Sequence, residues 1–467
     1  MNESPVPTPD RETLLDLLRL YDRPGPRYTS YPTAVEFDES YGEAEYLRRL
    51  EAADGAPEPL SVYFHLPFCR QRCTFCGCHV VIAKESETPH RYLDLLRKEV
   101  DLVAARLPNR RAVNQLHWGG GTPTSYAPAE MRELWTAITG AFDLVDGAEV
   151  AIETDPRVTT PEQLALLREL GFNRISMGVQ DFTTEVQEAI GRRQGREETV
   201  AQFRACREIG FPSINVDLVY GLPRQTVATF RENLRDVAAL RPDRVAVYSF
   251  AHVPWIRPNQ RRIDPETLPD AETKLRLFFE ARDAFLRAGY RQIGMDHFAV
   301  PEDELAVAQA EARLHRNFMG YTVMPAADQI GFGISAIGDV RGSFAQNAKK
   351  LSVYEAALSG DRLPIEKGYV LDRDDEIRRA VILALMCNFR LAHAEIERRF
   401  EIRFADYFAR ELAELEEPRR HGFVRLPDDR IEVTDSGRLF VRNLCMVFDR
   451  HLREKSPGGR PVFSRTV

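Results

Sequence analysis

The chain has 467 residues, 43% hydrophobic and 29% charged, with a net charge of −8. That balance suits a water-soluble globular protein of roughly two to three domains, and the mild acidity gives no electrostatic footprint for nucleic acid. No apolar run is long enough to cross a bilayer, and the N-terminus lacks a basic segment followed by an apolar core, so neither a membrane span nor a signal peptide is expected. Seven cysteines, four of them within residues 69–78, argue against a secreted disulfide scaffold. They suit a reducing, cytoplasmic setting, where such clusters bind metal.

Residues 1–20 begin polar and Pro-rich and become helix-like over 12–20. In the stretch 21–33, YDRPGPRYTSYPT, Pro and Gly exclude regular structure. So much tyrosine fits either an arm packed on the surface or a segment that covers a site. From residue 60, apolar strand-like runs recur at 60–67, 113–118, 149–153, 174–179, 213–220 and 244–250. Helix-like stretches at 92–106, 129–138, 161–170, 199–209 and 228–240 separate them. Strands alternating with helices mean βαβ units on a parallel sheet, with right-handed crossovers. The expected fold is α/β, a partial (β/α)6 barrel, with an open flavodoxin-like sheet as the alternative. A helix at 271–288 and a Gly-rich stretch at 330–338 follow. From about 368 helical patterns dominate, at 373–387, 393–399 and 404–415, before β-like pieces at 423–426 and 431–434. These suggest a mainly helical C-terminal domain of winged-helix type, for which fold alone is weak support for nucleic-acid binding. The predicted division is an N-terminal arm over 1–58, the barrel and its following elements over 59–365, and the C-terminal domain over 366–467.

The chemistry centres on Cys69-Arg70-Gln71-Arg72-Cys73-Thr74-Phe75-Cys76-Gly77-Cys78, just past the first strand's carboxyl end. Ligands gather at such strand ends in α/β folds. Thiolates suit zinc or iron–sulfur clusters, but structural zinc sites draw on separated Cys or His pairs. Three thiolates at x3 and x2 spacing can hold three irons of one cubane and leave the fourth open. Zinc, or no metal, are the alternatives, and Cys78 stands too close to Cys76 to reach well. Cys206, Cys387 and Cys445 lie in apolar patterns and read as buried thiols. In His117-Trp118-Gly119-Gly120-Gly121-Thr122 the glycines permit either a tight turn or close approach of backbone to a ligand. Glu153, Gln180 and Asp217 stand at ends of successive strands, with Arg192 in the segment after Gln180. Each alone fits a satisfied core group as well as a ligand; together they converge on one mouth. Tyr63 alternates so as to face the interior with His65, which reads as structural.

C-x3-C-x2-C with Phe75 before its third cysteine resembles the radical S-adenosylmethionine enzymes. More narrowly, PRYTSYPT (26–33), HLPFCRQRCTFCGC (65–78), HWGGGTPT (117–124), MGVQDF (177–182), NVDLVYGLP (215–223), GMDHFA (294–299), HRNFMGYT (315–322) and CNFR (387–390) together resemble the oxygen-independent coproporphyrinogen III oxidase family. The likeness runs from about residue 21 to the end. The C-x-C ending at Cys78 and the tyrosine-rich arm separate it from related heme chaperones; a radical S-adenosylmethionine methyltransferase is the other alternative. The resemblance implies a 4Fe-4S cluster on Cys69, Cys73 and Cys76 and two molecules of S-adenosylmethionine. Tyr63, Gly120, Glu153 and Ile337 would contact the first, and Phe75, Gly121, Thr122, Gln180, Arg192, Asp217 and Ala251 the second. Tyr63 and Glu153 are thereby assigned to the catalytic centre. The implied reaction converts two propionates of coproporphyrinogen III to vinyl groups, giving protoporphyrinogen IX in anaerobic heme biosynthesis. A 5′-deoxyadenosyl radical takes hydrogen from the propionate β-carbon, followed by loss of carbon dioxide and an electron. It needs a reducing electron donor and an unidentified acceptor, and the expected state is a cytoplasmic monomer with no nucleic-acid or membrane partner. Arg27 is the first candidate for a propionate contact, ahead of Arg316 and Arg390.

Overall fold

In the computed structural model, residues 9, 11–83, 87–454 and 463–466 are described. The Pro-rich start of the N-terminal arm, residues 1–8 and 10, lies outside them. Six strands form the centre: β1 (Leu60–Leu66), β2 (Ala112–Gly120), β3 (Asp143–Thr154), β4 (Arg174–Gln180), β5 (Ser213–Tyr220) and β6 (Arg244–Ser249). They pair in that order and all in parallel. Parallel neighbours need crossovers, and each connection carries a helix, such as Thr88–Ala104 after β1 and Val227–Leu240 after β5. β3 starts earlier than the expected 149. Its polar opening residues pair Asp143 with Ala112 and Leu144 with Val113 before the register shifts.

The strands alternate in character for a physical reason. Leu60, Val62, Phe64 and Leu66 of β1, with Leu116 and Trp118 of β2, join one large apolar core. The alternate residues are polar: Ser61 donates to Gln115 Oε1 at 2.8 Å, and Gln115 donates to Glu149 Oε1 at 2.8 Å. A parallel sheet packed dry on both faces would be apolar on both. Here the inner face is polar, as expected of a wall around a polar ligand.

The sheet extends past the six units. A hairpin of β7 (Arg291–Ile293) and β8 (His297–Ala299) adds antiparallel beside β6. β9 (Gln329–Phe332) adds parallel beside β1, followed by antiparallel β10 (Ile337–Val340), β11 (Ser343–Asn347) and β12 (Ile365–Val370). The twelve strands run β12-β11-β10-β9-β1-β2-β3-β4-β5-β6-β8-β7, and the two edges do not pair with each other. The barrel is therefore partial, and the Gly-rich stretch 330–338 supplies parts of strands β9 and β10 and the turn between them. A division at 366 would cut β12, so the main sheet runs on to Val370.

Beyond it, the helices Arg373–Asn388 and His393–Phe400 pack with a three-stranded antiparallel sheet, Arg390–Ala392, Arg430–Val433 and Val424–Arg425 in that order. The core of this unit also takes Tyr28 and Tyr31 from the arm. Tyr28 Oη donates to Asp449 Oδ2 at 2.9 Å, and the Arg450 amide donates to Tyr31 Oη at 3.1 Å. The tyrosines thus anchor the arm to the C-terminal unit, while Arg27 of the same segment reaches the large cavity. No helix among the described residues is long and apolar enough to cross a membrane.

One buried carboxylate ties the helix after β1 to the β9 edge. Glu99 accepts from the Gly333 amide (2.8 Å), Asn347 Nδ2 (2.6 Å) and Tyr354 Oη (2.6 Å). Burial raises its pKa to about 7, against the lowering pull of those donors. The folded state therefore binds this proton more tightly than the unfolded chain. Stability from this group is full below the unfolded value and falls as pH rises through about 7. Urea unfolding across that window should show the decline in the native chain and a flatter curve in Glu99→Gln.

Candidate active site

The cysteine loop leaves β1 at Pro67, and its neck is closed by Phe68–Cys69 pairing in parallel with Val81–Ile82. Its fold is then fixed from a distant segment. Asn259 Nδ2 donates to the carbonyls of Cys73 (3.3 Å), Thr74 (2.9 Å) and Cys76 (3.0 Å). Gln260 Nε2 reaches the Phe75 carbonyl at 3.1 Å. Sequence reading missed both residues, because nothing local marks a loop amide that serves a partner so far away in the chain. Asn259→Ala leaves three carbonyls without this donor. We expect a folded protein whose cluster assembles incompletely, read as reduced iron per chain after anaerobic reconstitution.

A cavity of about 690 Å³ opens beside this loop at the carboxyl ends of β1 to β6. Every expected site residue except Tyr63 and Ile337 lines it: Cys69, Cys73, Phe75 and Cys76 of the loop, Gly120, Gly121 and Thr122 at the end of β2, and Glu153, Gln180, Arg192, Asp217 and Ala251 from the strands and segments beyond. Tyr63 lies just behind, stacked on His117 with ring centroids 5.9 Å apart, and His117 Nε2 stands 3.4 Å from Glu153 Oε1. Ile337 lies further out on β10; its carbonyl covers Gly331, the β9 partner of Tyr63, 2.7 Å from where a Cβ would sit. Only glycine fits at 121 for the same reason: a Cβ there would stand 2.4 Å from the Pro67 carbonyl oxygen. The glycine run therefore lets β2 pass against the root of the cysteine loop.

The electrostatics sort the polar groups. Tyr63 Oη lies 3.0 Å from His65 Nδ1, and His65 Nε2 lies 2.8 Å from the His79 carbonyl. Nε2 must donate to that carbonyl, so Nδ1 accepts from Tyr63. Burial holds His65 neutral, its pKa lowered to about 4. For Glu153, burial acts to raise the pKa, but His117 and the Gly120 amide (3.1 Å from Oε2) outweigh it and keep the carboxylate ionised. Asp217 is raised to about 6, by burial first and then by Glu153, although Ser176 and Asn215 donate to it at 3.0 and 2.8 Å.

The thiols are gathered but not closed into a ligating set among the described residues. Cys69 Sγ pairs with Thr122 Oγ1 at 3.3 Å, and Cys76 shares a hydrogen bond with the exposed Cys78. Arg157 Nη2 and Arg192 Nη1 stand 3.8 and 3.9 Å from Cys73 Sγ. Both arginines grip Asp155, at 2.6 and 3.0 Å. Arg192 also donates to the Gly178 carbonyl at 2.6 Å, so much of its fork is already engaged inside the protein. Asp155 and Arg157 escaped the sequence reading, although both follow Glu153 in the same strand-end segment.

Soft thiols at one rim, guanidiniums to offset thiolate charge, and a cavity wide enough for a nucleoside-sized ligand fit an iron–sulfur cluster with S-adenosylmethionine beside it. Comparison with known proteins agrees. Residues 63–237 match the radical SAM superfamily, and residues 371–440 match the HemN C-terminal domain. The oxygen-independent coproporphyrinogen III oxidase of Escherichia coli is 46% identical over 454 residues, 97% of this chain and 98% of that one. The chain belongs to the oxygen-independent coproporphyrinogen III oxidase family. The Synechocystis oxidase is 43% identical over 463 residues, 98% of this chain and 99% of its own. The solved E. coli coproporphyrinogen III oxidase, described as a radical SAM enzyme, superposes with a TM-score of 0.88 at 45% identity, covering 91% of this chain and 98% of that one. As a member of this oxidase family the chain is an oxidoreductase that uses a 4Fe-4S cluster and S-adenosylmethionine. The HemN match beginning at residue 371 also agrees with the sheet ending at Val370.

Proposed function

We propose that this chain converts two propionate side chains of coproporphyrinogen III to vinyl groups, giving protoporphyrinogen IX for heme synthesis. The observation that carries this is the single cavity at the strand ends that collects the cysteine loop, the polar strand-end residues and Arg27. Cys69, Cys73 and Cys76 would hold the 4Fe-4S cluster, and the cavity lined by Gly120, Glu153, Gln180, Arg192 and Asp217 would take S-adenosylmethionine, two molecules on this reading. When bound, cluster and cosubstrate supply a carbon-centred radical that removes hydrogen from a propionate β-carbon. Arg157 and Arg192 offset negative charge at Cys73 Sγ. Ionised Glu153 and the strand-end Asp217 accept hydrogen bonds from ammonium or ribose hydroxyl groups. Phe75, Val219 and Phe250 line the cavity with apolar surface that keeps water from the reacting carbon. Carbon dioxide then leaves, and one electron passes to an external acceptor. The initial electron comes from a separate reducing donor. The expected state is a monomer, and the unpaired thiols suit the cytoplasm.

Arg27 is the propionate contact on this reading. It lines the cavity, its Nη2 donates to the Ser249 carbonyl at 2.7 Å, and its own carbonyl accepts from Arg316 Nη1 at 2.9 Å. Arg316 thus positions Arg27, while Arg390 lines a separate groove near Asn388. Arg27→Ala should raise KM for coproporphyrinogen III about tenfold or more while leaving cosubstrate cleavage alone. Unchanged KM would remove Arg27 from the substrate contact. The reaction itself is tested with substrate deuterated at the propionate β-carbons. Deuterium should appear in the 5′-deoxyadenosine released; its absence there would contradict hydrogen abstraction at that carbon.

A further inference from the structure

Behind Arg27 lies a second, smaller cavity of about 50 Å³, between β5, β6, the helix Ala271–Arg287 and the C-terminal unit. It shares Arg27 and Ser249 with the large cavity. Leu275, Phe278, Met295, Leu439 and Val441 give it apolar walls. Its charged lining is Arg27, Arg442 and Asp296. Lys274 stands beside it, one residue from Leu275 on the same helix, with its Cε 3.1 Å from where a Gly221 Cβ would be.

The cations here form no salt bridge with a carboxylate; Asp296 in the same lining offsets Arg27 and Arg442 only in part, as Asp22 does Lys274. Arg27 donates to the Ser249 carbonyl. Buried Arg442 donates to the carbonyls of Pro26 (2.9 Å), Arg465 (3.0 Å) and Thr466 (3.2 Å), and to that of Gly25. Among the described residues no salt bridge joins Arg27, Lys274 or Arg442 to an acid. Of the nearby acids, Asp296 pairs with His297 at 2.7 Å and Asp22 with Arg465 at 2.5 Å. Carbonyl dipoles orient Arg442 but do not cancel its charge. Burial, then Arg27, lowers the Lys274 pKa to about 8. Burial, then Arg27, lowers that of Arg442 to about 10. Cations held together out of water are unfavourable until an anion joins them.

We propose that this compartment is a subsite for one non-reacting propionate of the substrate, with its methylenes against Phe278 and Met295 and its carboxylate between Arg27, Lys274 and Arg442. Because Arg27 and Ser249 form the wall between the two cavities, a macrocycle at the large cavity can send one side chain past them. That side chain fixes which of the others faces the radical. The inference rests on the reading that the substrate is a porphyrinogen bearing several propionates.

Lys274→Met tests it, since Arg442 also pins the arm and its loss would disturb more than charge. KM for coproporphyrinogen III should rise roughly tenfold with kcat nearly unchanged. Cosubstrate cleavage without substrate should be unaffected, and Lys274→Arg should restore most of the affinity. The melting temperature of Lys274→Met should hold or rise, because an uncompensated charge is removed. Unchanged KM in a wild-type-like background would overturn the subsite and leave the proposed function standing. A raised KM accompanied by a lower melting temperature and no rescue by Lys274→Arg would also overturn it, marking Lys274 as structural. Wild-type protein that fails to convert coproporphyrinogen III would overturn both.

Discussion

Cys69→Ser, Cys73→Ser and Cys76→Ser each abolish turnover, whereas Cys78→Ser keeps the cluster. The first three sit where the loop backbone is fixed. Asn259 holds the carbonyls of Cys73 and Cys76, and the short parallel pairing holds Cys69 at the neck. Cys78 lies past Gly77 on the exposed end of the loop. Serine is a harder, less acidic ligand than cysteine and a poor substitute on iron. Iron and sulfide analysis after anaerobic reconstitution should give about four of each per chain for the native protein and for Cys78→Ser. The other three variants should show far less, with no detectable vinyl product. A Cys73→Ser protein with full iron content would reassign the ligands, and loss of the cluster in Cys78→Ser would make that residue a ligand.

The largest expected loss of stability at the site is at Asp155. It is buried and holds two guanidiniums together, Arg157 at 2.6 Å and Arg192 at 3.0 Å. Asp155→Ala leaves both cations facing each other beside Cys73. Removing one partner of a buried ion pair costs about 3–5 kcal/mol. Burial tends to raise the Asp155 pKa, but Arg192 and Arg157 outweigh it and hold it below the ordinary aspartate value. The folded-state pKa is depressed, so this stabilisation is present above the unfolded value and is lost as pH falls through the folded one. Urea unfolding should show a large gap between native chain and variant at neutral pH that narrows in acid. A gap independent of pH would mean that the charge on Asp155 does not hold the pair.

Much of this was legible because the outward faces of the six strands are apolar and the inward faces polar. Leu116 and Trp118 pack beneath the helices, while His117 between them turns to Glu153. The cysteine spacing and the strand-end placement of Glu153, Gln180 and Asp217 likewise announced one mouth, and the cavity collects all of them. What stayed hidden depends on contacts distant in sequence. Asn259 and Gln260 act on a loop that the chain passed long before. β9 to β12 carry glycine and polar residues, so periodicity gave no strand signal for them. The 21–33 segment does both things the sequence left open: the rings of Tyr28 and Tyr31 fill the core of the C-terminal unit, and Arg27 reaches the cavity. Ile337 lies two strands from Tyr63, with β9 between them, and only its backbone carbonyl closes on Gly331, the β9 partner of Tyr63.

The most direct measurement is an anaerobic reaction of the reconstituted protein with a reductant, S-adenosylmethionine and coproporphyrinogen III carrying labelled propionate carboxyls. The account predicts labelled carbon dioxide, one for each vinyl group formed, together with protoporphyrinogen IX and 5′-deoxyadenosine. Cleavage of S-adenosylmethionine with neither labelled carbon dioxide nor vinyl product would contradict it.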